Sequence, residues 1–256
     1  MQFDAKREKD RIVQWIRDLY KDMPDYKAVV GISGGKDSSV VAALLVEALG
    51  KDRVIGVLMP QGEQKDIADS LQLVNHLGIK HKVINIGETV KTHIDVCARC
   101  GLYYNDMART NLPAAIRMAT LYSVAAVEKA LVANTCNMSE DYIGYSTKFG
   151  DARGDFSPLA DYTVTEVRLI GEVLGLPSNL VHKTPSDGLQ PKTDEENLGF
   201  TYAVLDRYIR EGICEDAATK ANIDRRHKAN LHKILPMPKC EYNPLPPTLD
   251  RVAPNK

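Results

Sequence analysis

One string constrains this chain more than any other: Gly31-Ile-Ser-Gly-Gly-Lys-Asp-Ser-Ser39. It joins two segments of opposite character. The run Lys27-Ala-Val-Val-Gly-Ile-Ser33 is short, apolar and β-branched, and reads as a buried strand. Ser38 to Leu49 is apolar and long enough for a helix, and Gly50 follows as its stop. At such a junction the free N–H groups and the helix dipole converge on one point, where an anion binds. Gly34 and Gly35 let the backbone approach a phosphate without a Cβ clash, and Ser33 and Ser38 add hydroxyl donors.

The pattern repeats downstream. Arg53–Met59 reads as a second strand, Asp66–Leu77 as a helix and His81–Ile86 as a third strand. The βαβαβ alternation predicts an α/β fold, a Rossmann-like, doubly wound parallel sheet with helices on both faces. Before it, residues 4–22 carry Ile12, Ile16, Leu19 and Met23 at helical spacing. After it, residues 111–129 form an apolar helix whose Ala114, Met118, Leu121, Tyr122, Ala125 and Ala126 nearly encircle the axis. Such a helix is buried on more than one side, in the core or against a second subunit. Leu131–Asn134 is a further short strand, which enters a polar loop, Thr135 to Asp161. Thr163 or Thr165 can cap a helix running through Val173. Residues 182–199 read as a mobile loop, Tyr202–Arg210 as a short helix, and residues 236–256, rich in proline, as an extended tail. The expectation is one domain over residues 1–256.

Composition removes several classes. The formal net charge is -1, so no general basic field recruits nucleic acid or lipid. No stretch reaches the roughly 18 apolar residues of a membrane span. Five scattered cysteines suit reduced thiols in a cytoplasm better than a disulfide framework.

Asp37 is the discordant residue in the phosphate loop, because a carboxylate there repels an anionic ligand. Mg²⁺ bridging the two removes the conflict. Two other phosphate loops are excluded by spacing. A Walker A loop needs Gly-Lys-Ser/Thr, but Lys36 is followed by Asp37, and the dinucleotide Gly-x-Gly-x-x-Gly pattern is absent.

Ser33-Gly-Gly-Lys-Asp-Ser38 resembles the PP-loop signature of the ATP pyrophosphatases. A second region narrows the resemblance. Thr135, Glu140, Gly144, Thr147, Lys148, Gly150, Asp151 and Asp155 match, in order, the pattern of the ammonia-dependent NAD synthetase family. Pro60 to Asp66, Lys183 to Leu189, Asp194-Glu195 and His232-Lys233 extend the similarity over most of the chain. The resemblance implies an adenine nucleotide alpha hydrolase-like fold, a homodimer, and amidation of deamido-NAD by ammonia at the expense of ATP, leaving AMP and pyrophosphate. It implies Mg²⁺ at Asp37 and Glu140. ATP contacts would come from Gly31, Ile32, Ser33, Gly34, Gly35, Lys36, Asp37, Ser38, Gln64, Thr135 and Ser186. Arg117, Lys148, Asp155, His232 and Lys233 would contact deamido-NAD, with Asp151 and Lys36 as catalytic side chains.

Three positions depart from the family pattern. Val164 stands where a lysine reaching ATP is common, Ala115 where an arginine contacts the dinucleotide, and Leu58 where arginine is frequent. Lys36 or Lys183 could supply the cation missing at Val164. Two competing readings remain. A tRNA-thiolating PP-loop enzyme would use Cys97 and Cys100, but a closed zinc site needs four ligands and no second Cys-x-x-Cys exists. A non-catalytic ATP-binding module would not need the acid pair Asp37 and Glu140.

Overall fold

The computed structural model describes residues 3–63, 67–183 and 193–238. Four parallel strands form its sheet: β1 (Lys27–Gly31), β2 (Val54–Leu58), β3 (Lys80–Val83) and β4 (Ala130–Ala133). Their spatial order is β3-β2-β1-β4. In register, Val29 stands beside Ile55 on one side and Val132 on the other. The chain thus builds outward from β1 through β2 to β3, then returns to lay β4 against the opposite edge of β1. That reversal opens a crevice at the carboxyl ends of β1 and β4, the place where open α/β sheets bind ligands.

Side chains alternate across each strand, and the two sheet faces form separate cores. Ala28 and Val30 of β1 pack with α1 (Ala5–Leu19), α2 (Lys36–Leu49), α3 (Ile67–Leu77) and α7 (Val164–Val173). Val29 faces the other way, into α4 (Gly87–Arg99) and α5 (Asp106–Glu128). In α1, Asp4 caps the first turn by accepting from the Arg7 N–H at 3.0 Å, and Ile12, Val13 and Ile16 form the buried stripe. Leu44, at the centre of α2, is 0% exposed between sheet and helices. Leu44→Ala is expected to lower the unfolding free energy by about 2–5 kcal/mol, read from the urea midpoint at unchanged slope.

A third cluster lies beyond the sheet. It joins α6 (Met138–Ile143), α9 (Asp194–Leu198), α10 (Tyr202–Glu211) and α11 (Ala217–Ile234) through Ile143, Val164, Leu198, Tyr202, Leu205 and Ile223. The short helix α8 (Ser178–Val181) completes the described elements.

Several expectations shift. Thr163, not Thr165, caps α7, accepting from the Glu166 N–H while the Glu166 carboxylate accepts from its own N–H. Thr165 is instead tied to Asp206. Residues 194–198 of the expected loop form α9, capped by Thr193; residues 184–192 lie outside the described residues, as does most of the expected tail. The helix expected over 111–129 begins at Asp106, with Pro113 inside its second turn. It is buried along one side only: Met118, Leu121, Val124 and Ala125 meet the sheet, while Met107 and Val127 are 73% and 83% exposed. Leu58 and Val164 are both fully buried, so these two departures place apolar side chains in the core, whereas Ala115 is exposed. Among the described residues, no helix is long and apolar enough to cross a membrane.

Candidate active site

The loop after β1 is shaped by its own hydroxyls. Gly34 adopts φ +77, a conformation disfavoured for any residue with a Cβ, and a side chain there would also press on Asp69 and Ser70. Ser33 Oγ accepts from the Gly35 N–H at 3.2 Å and pairs with Ser38 Oγ at 3.0 Å. Ser39 Oγ donates to the Gly35 carbonyl at 2.7 Å. Gly35 caps α2 without a side-chain hydrogen bond, so the first turn keeps N–H groups for a ligand. Gly31 ends β1 beneath Leu121, and Ile32 continues the sheet by donating to the Val57 carbonyl at 2.9 Å.

The loop after β4 arrives beside it. Asn134 organises this loop: its amide donates to the carbonyls of Asp151 and Arg153 at 2.7 and 3.1 Å. Its oxygen accepts from the Cys136 N–H and the Ser157 hydroxyl. Thr135 follows, half-buried. Asn137 then caps α6 in a reciprocal capping box with Glu140. Asn137 also reaches across the crevice, donating from Nδ2 to Asp37 Oδ1 at 3.0 Å. One residue, through its backbone N–H to Glu140 and its side chain to Asp37, thus ties both candidate metal carboxylates, which lie 103 positions apart in the chain, into one cluster.

Lys36 completes the cluster. It is 4% exposed, and its ammonium donates to Asp37 Oδ2 at 2.8 Å. Burial, and then the neighbouring Asp37 charge, pushes the Glu140 carboxyl well above the usual range. Against its burial, the Asp37 and Glu140 carboxylates hold the Lys36 ammonium above its ordinary value. Two carboxylates that already concentrate a cation suit a hard metal ion such as Mg²⁺. Among the described residues, no group of three or more His, Cys, Asp and Glu side chains gathers around one point. The pair therefore fits an ion that takes its remaining ligands from water and phosphate oxygen.

A tight turn follows α6. Phe149 sits at φ 62, which folds Asp151 back so that its Oδ1 accepts from the Thr147 N–H at 2.8 Å. The Asp151 side is open to solvent, but protein crowds it from beneath, and this desolvation raises its carboxyl. Arg117, Lys233 and Glu140 all lie within electrostatic reach of Asp151. Lys233, on the last turn of α11, donates to the carbonyls of Gly144 and Ser146 at 2.7 and 2.8 Å. Arg117 holds the end of β2 by donating to the Met59 carbonyl at 3.1 Å. A recess of about 230 Å³ beside the turn is lined by Asn134, Asp141, Asp155, Ser157 and Lys233.

The other candidate residues are placed less centrally. Asp155 spends both oxygens inside the chain, accepting from Tyr122 OH at 3.1 Å and from the Val132 N–H at 2.7 Å. It therefore closes the β4 edge of the sheet. Lys148 lies over the ring of Phe149, and His232 is exposed, its Nδ1 donating to the Ala229 carbonyl at 3.1 Å. Lys183 is paired with Asp69 at 2.7 Å, whereas Lys36 stands in the acid cluster itself. Gln64 and Ser186 lie outside the described residues. Cys97 and His93 both meet the Tyr104 hydroxyl, at 3.7 and 3.0 Å.

Sequence reasoning passed over Asn137, although Asn-x-x-Glu ahead of an apolar pair is a legible capping signal. It also passed over Asn134 and Tyr202, for which no local signal exists.

The fold and the sequence match known proteins. The NAD synthase family model matches residues 8–240. An NH(3)-dependent NAD(+) synthetase from Pyrococcus furiosus is 35% identical over 235 residues, covering 88% of this chain and 89% of that one. Among solved structures, an NMN synthetase from Francisella tularensis superposes with a TM-score of 0.86 at 31% identity, over 94% of this chain and 100% of that one. An NH3-dependent NAD synthetase from Campylobacter jejuni, in complex with nitrate, reaches a TM-score of 0.76 at 26% identity, covering 94% of this chain and all of that one. With the family model matched over nearly the whole chain and a relative 35% identical over most of both chains, this protein belongs to the NAD synthase family of amide-forming ligases.

Proposed function

We propose that this enzyme amidates the pyridine carboxylate of deamido-NAD with free ammonia, splitting ATP between its α and β phosphates. The observation that carries this reading is the Asn137 bridge, which gathers Asp37 and Glu140 over the uncapped first turn of α2. The loop amides and the α2 dipole bind the triphosphate. Asp37 and Glu140 would hold Mg²⁺, which when bound would supply positive charge to offset that on the departing pyrophosphate. The substrate carboxylate attacks the α-phosphorus, and the resulting acyl-adenylate offers AMP as leaving group where the bare carboxylate offered oxide. Ammonia then attacks the carbonyl. Asp151, with its carboxyl raised by desolvation, accepts the proton that ammonium gives up.

Lys233 and the recess at Asp155 and Asp141 suit the substrate side, and Lys148 and His232 extend it. The exposed apolar residues at the start of α5, Leu102, Tyr103 and Met107, suit a homodimer contact. Cys97, Cys100, Cys136 and Cys214 are free thiols, which suits a cytoplasmic enzyme.

One observation favours a second substrate. The superposition on the Francisella NMN synthetase, at 0.86, exceeds that on the Campylobacter NAD synthetase, at 0.76. Position 115, moreover, is an exposed alanine. On that reading the carboxylate is nicotinic acid mononucleotide. Both readings share the loop, the acids and the ammonia chemistry.

Purified protein is incubated with Mg-ATP, ammonium and either carboxylate, and NAD, NMN, AMP and pyrophosphate are quantified. AMP and pyrophosphate in equal amounts with amide are expected, and chelation by EDTA is expected to stop both products. The carboxylate with the larger kcat/KM identifies the substrate. ATP binding without amide from either one would refute the proposed reaction.

A further inference from the structure

One hydroxyl in the phosphate site lacks an acceptor. Tyr202 opens α10, where its backbone N–H donates to Glu195 Oε1 at 2.9 Å. Its ring packs with Ile143, Val164 and Leu198, and the residue is 1% exposed. Among the described residues, the hydroxyl is sealed from solvent and makes no hydrogen bond. Its surroundings are charged. The Lys36 ammonium lies 5.8 Å from the ring centre, and the charges of Glu140, Asp194 and Asp37 all act on the phenol. The phenol therefore lies beside the acid cluster and the lysine of the loop.

A buried donor with no partner destabilises a fold, and such groups are rare in native proteins. Among the described residues, neither Asp37 nor Glu140 accepts from it. Asp37 already spends Oδ1 on Asn137 and Oδ2 on Lys36, and Glu140 accepts from the Asn137 N–H. Val164, packed beside the ring, is apolar. A second donor shares the situation: Arg168, one helical turn beyond Val164, has a buried Nε with no acceptor among the described residues, and its charge reaches Lys36. Two unmatched donors thus flank a buried ammonium next to a glycine loop. Donors held dry and unsatisfied in advance are what a developing or incoming anion exploits.

We propose that Tyr202 is a further substrate-contacting residue, its hydroxyl donating to a phosphate oxygen of ATP bound between the glycine loop and the Asp37–Glu140 pair. The inference rests on the ATP-dependent reading above and adds to it a residue distant in sequence from both site loops.

Tyr202→Phe removes the oxygen and little else. Loss of an unsatisfied hydroxyl is expected to raise Tm by about 2–4 °C. Loss of a hydrogen bond to a charged oxygen is expected to lower kcat/KM for ATP by about 10- to 100-fold. Calorimetry with Mg-ATP alone should show correspondingly weaker binding, while KM for ammonium stays unchanged. This opposite movement of stability and ATP affinity is the expected signature. ATP affinity and kcat/KM within about twofold of the parent would overturn the proposal. So would a lowered Tm accompanying the loss, since the hydroxyl would then serve the fold. Were the unsubstituted enzyme to bind Mg-ATP yet form no amide, the reaction would fall while calorimetry still decided the role of Tyr202.

Discussion

Asp37→Ala is expected to reduce pyrophosphate release from ATP by about a thousandfold, the scale of losing a principal electrostatic contact to the transition state. Three effects act together. The proposed metal carboxylate is lost, Asn137 Nδ2 loses its acceptor, and the buried Lys36 ammonium loses its 2.8 Å partner. A buried charge stripped of its partner is costly, so the alanine variant is also expected to melt earlier. Asp37→Asn separates the two contributions. It retains an oxygen to accept from Asn137 or Lys36 but not the charge, so its Tm should lie close to the parent while pyrophosphate release stays lost. The readouts are a coupled pyrophosphate assay and thermal denaturation. Turnover by Asp37→Asn at the parental rate would remove the metal assignment.

The second large effect is expected at Gly144, which closes α6 at φ +64. A Cβ there would lie 2.1 Å from Asn230 Cβ and 2.6 Å from Asn230 Cγ, far inside any real contact. Gly144→Ala combines a disfavoured backbone conformation with overpacking, together about 2–4 kcal/mol. Something must move, and the mobile partner is α11, whose Asn230 and Lys233 hold the carbonyls of Ile143, Gly144 and Ser146. The variant is therefore expected to lose stability in urea and to raise KM for the carboxylate substrate while sparing ATP affinity, because the glycine loop lies on other elements. Asn230→Gly in the same chain opens the space and should restore part of the KM. An unchanged KM for the carboxylate in a destabilised Gly144→Ala would separate α11 from the substrate site.

These expectations depend unequally on what could be read from the chain alone. The strand–loop–helix at Lys27 to Leu49 was plain, because β-branched residues, glycines and an apolar helix follow one another within a few positions. The observed helix begins at Lys36, two residues before the predicted start, since Gly35 serves as its cap. Other helices left no such trace. In α11 only Ile223 is buried, so there is no apolar stripe to find. That helix is fixed by polar contacts instead: Asn222 to the Leu198 carbonyl, His227 stacked on Tyr142, and Lys233 on the turn at Gly144. In α4 only Val90 is buried and no side chain caps the start. At the site, Asp37 and Glu140 were legible through motif spacing. Tyr202 was not, because what makes it notable is the absence of a partner, which appears only when distant segments meet.

The strand order carries a consequence for how such a chain can change. Lys36, Asp37, Asn137 and Glu140 all belong to segments that leave β1 and β4, while β3 forms the far border of the sheet with every residue exposed. That border and the helix after it contribute nothing to the acid cluster. Lineages can lengthen, recharge or decorate it while the chemistry stays as it is, so divergence should accumulate on one flank of the molecule and stall on the other.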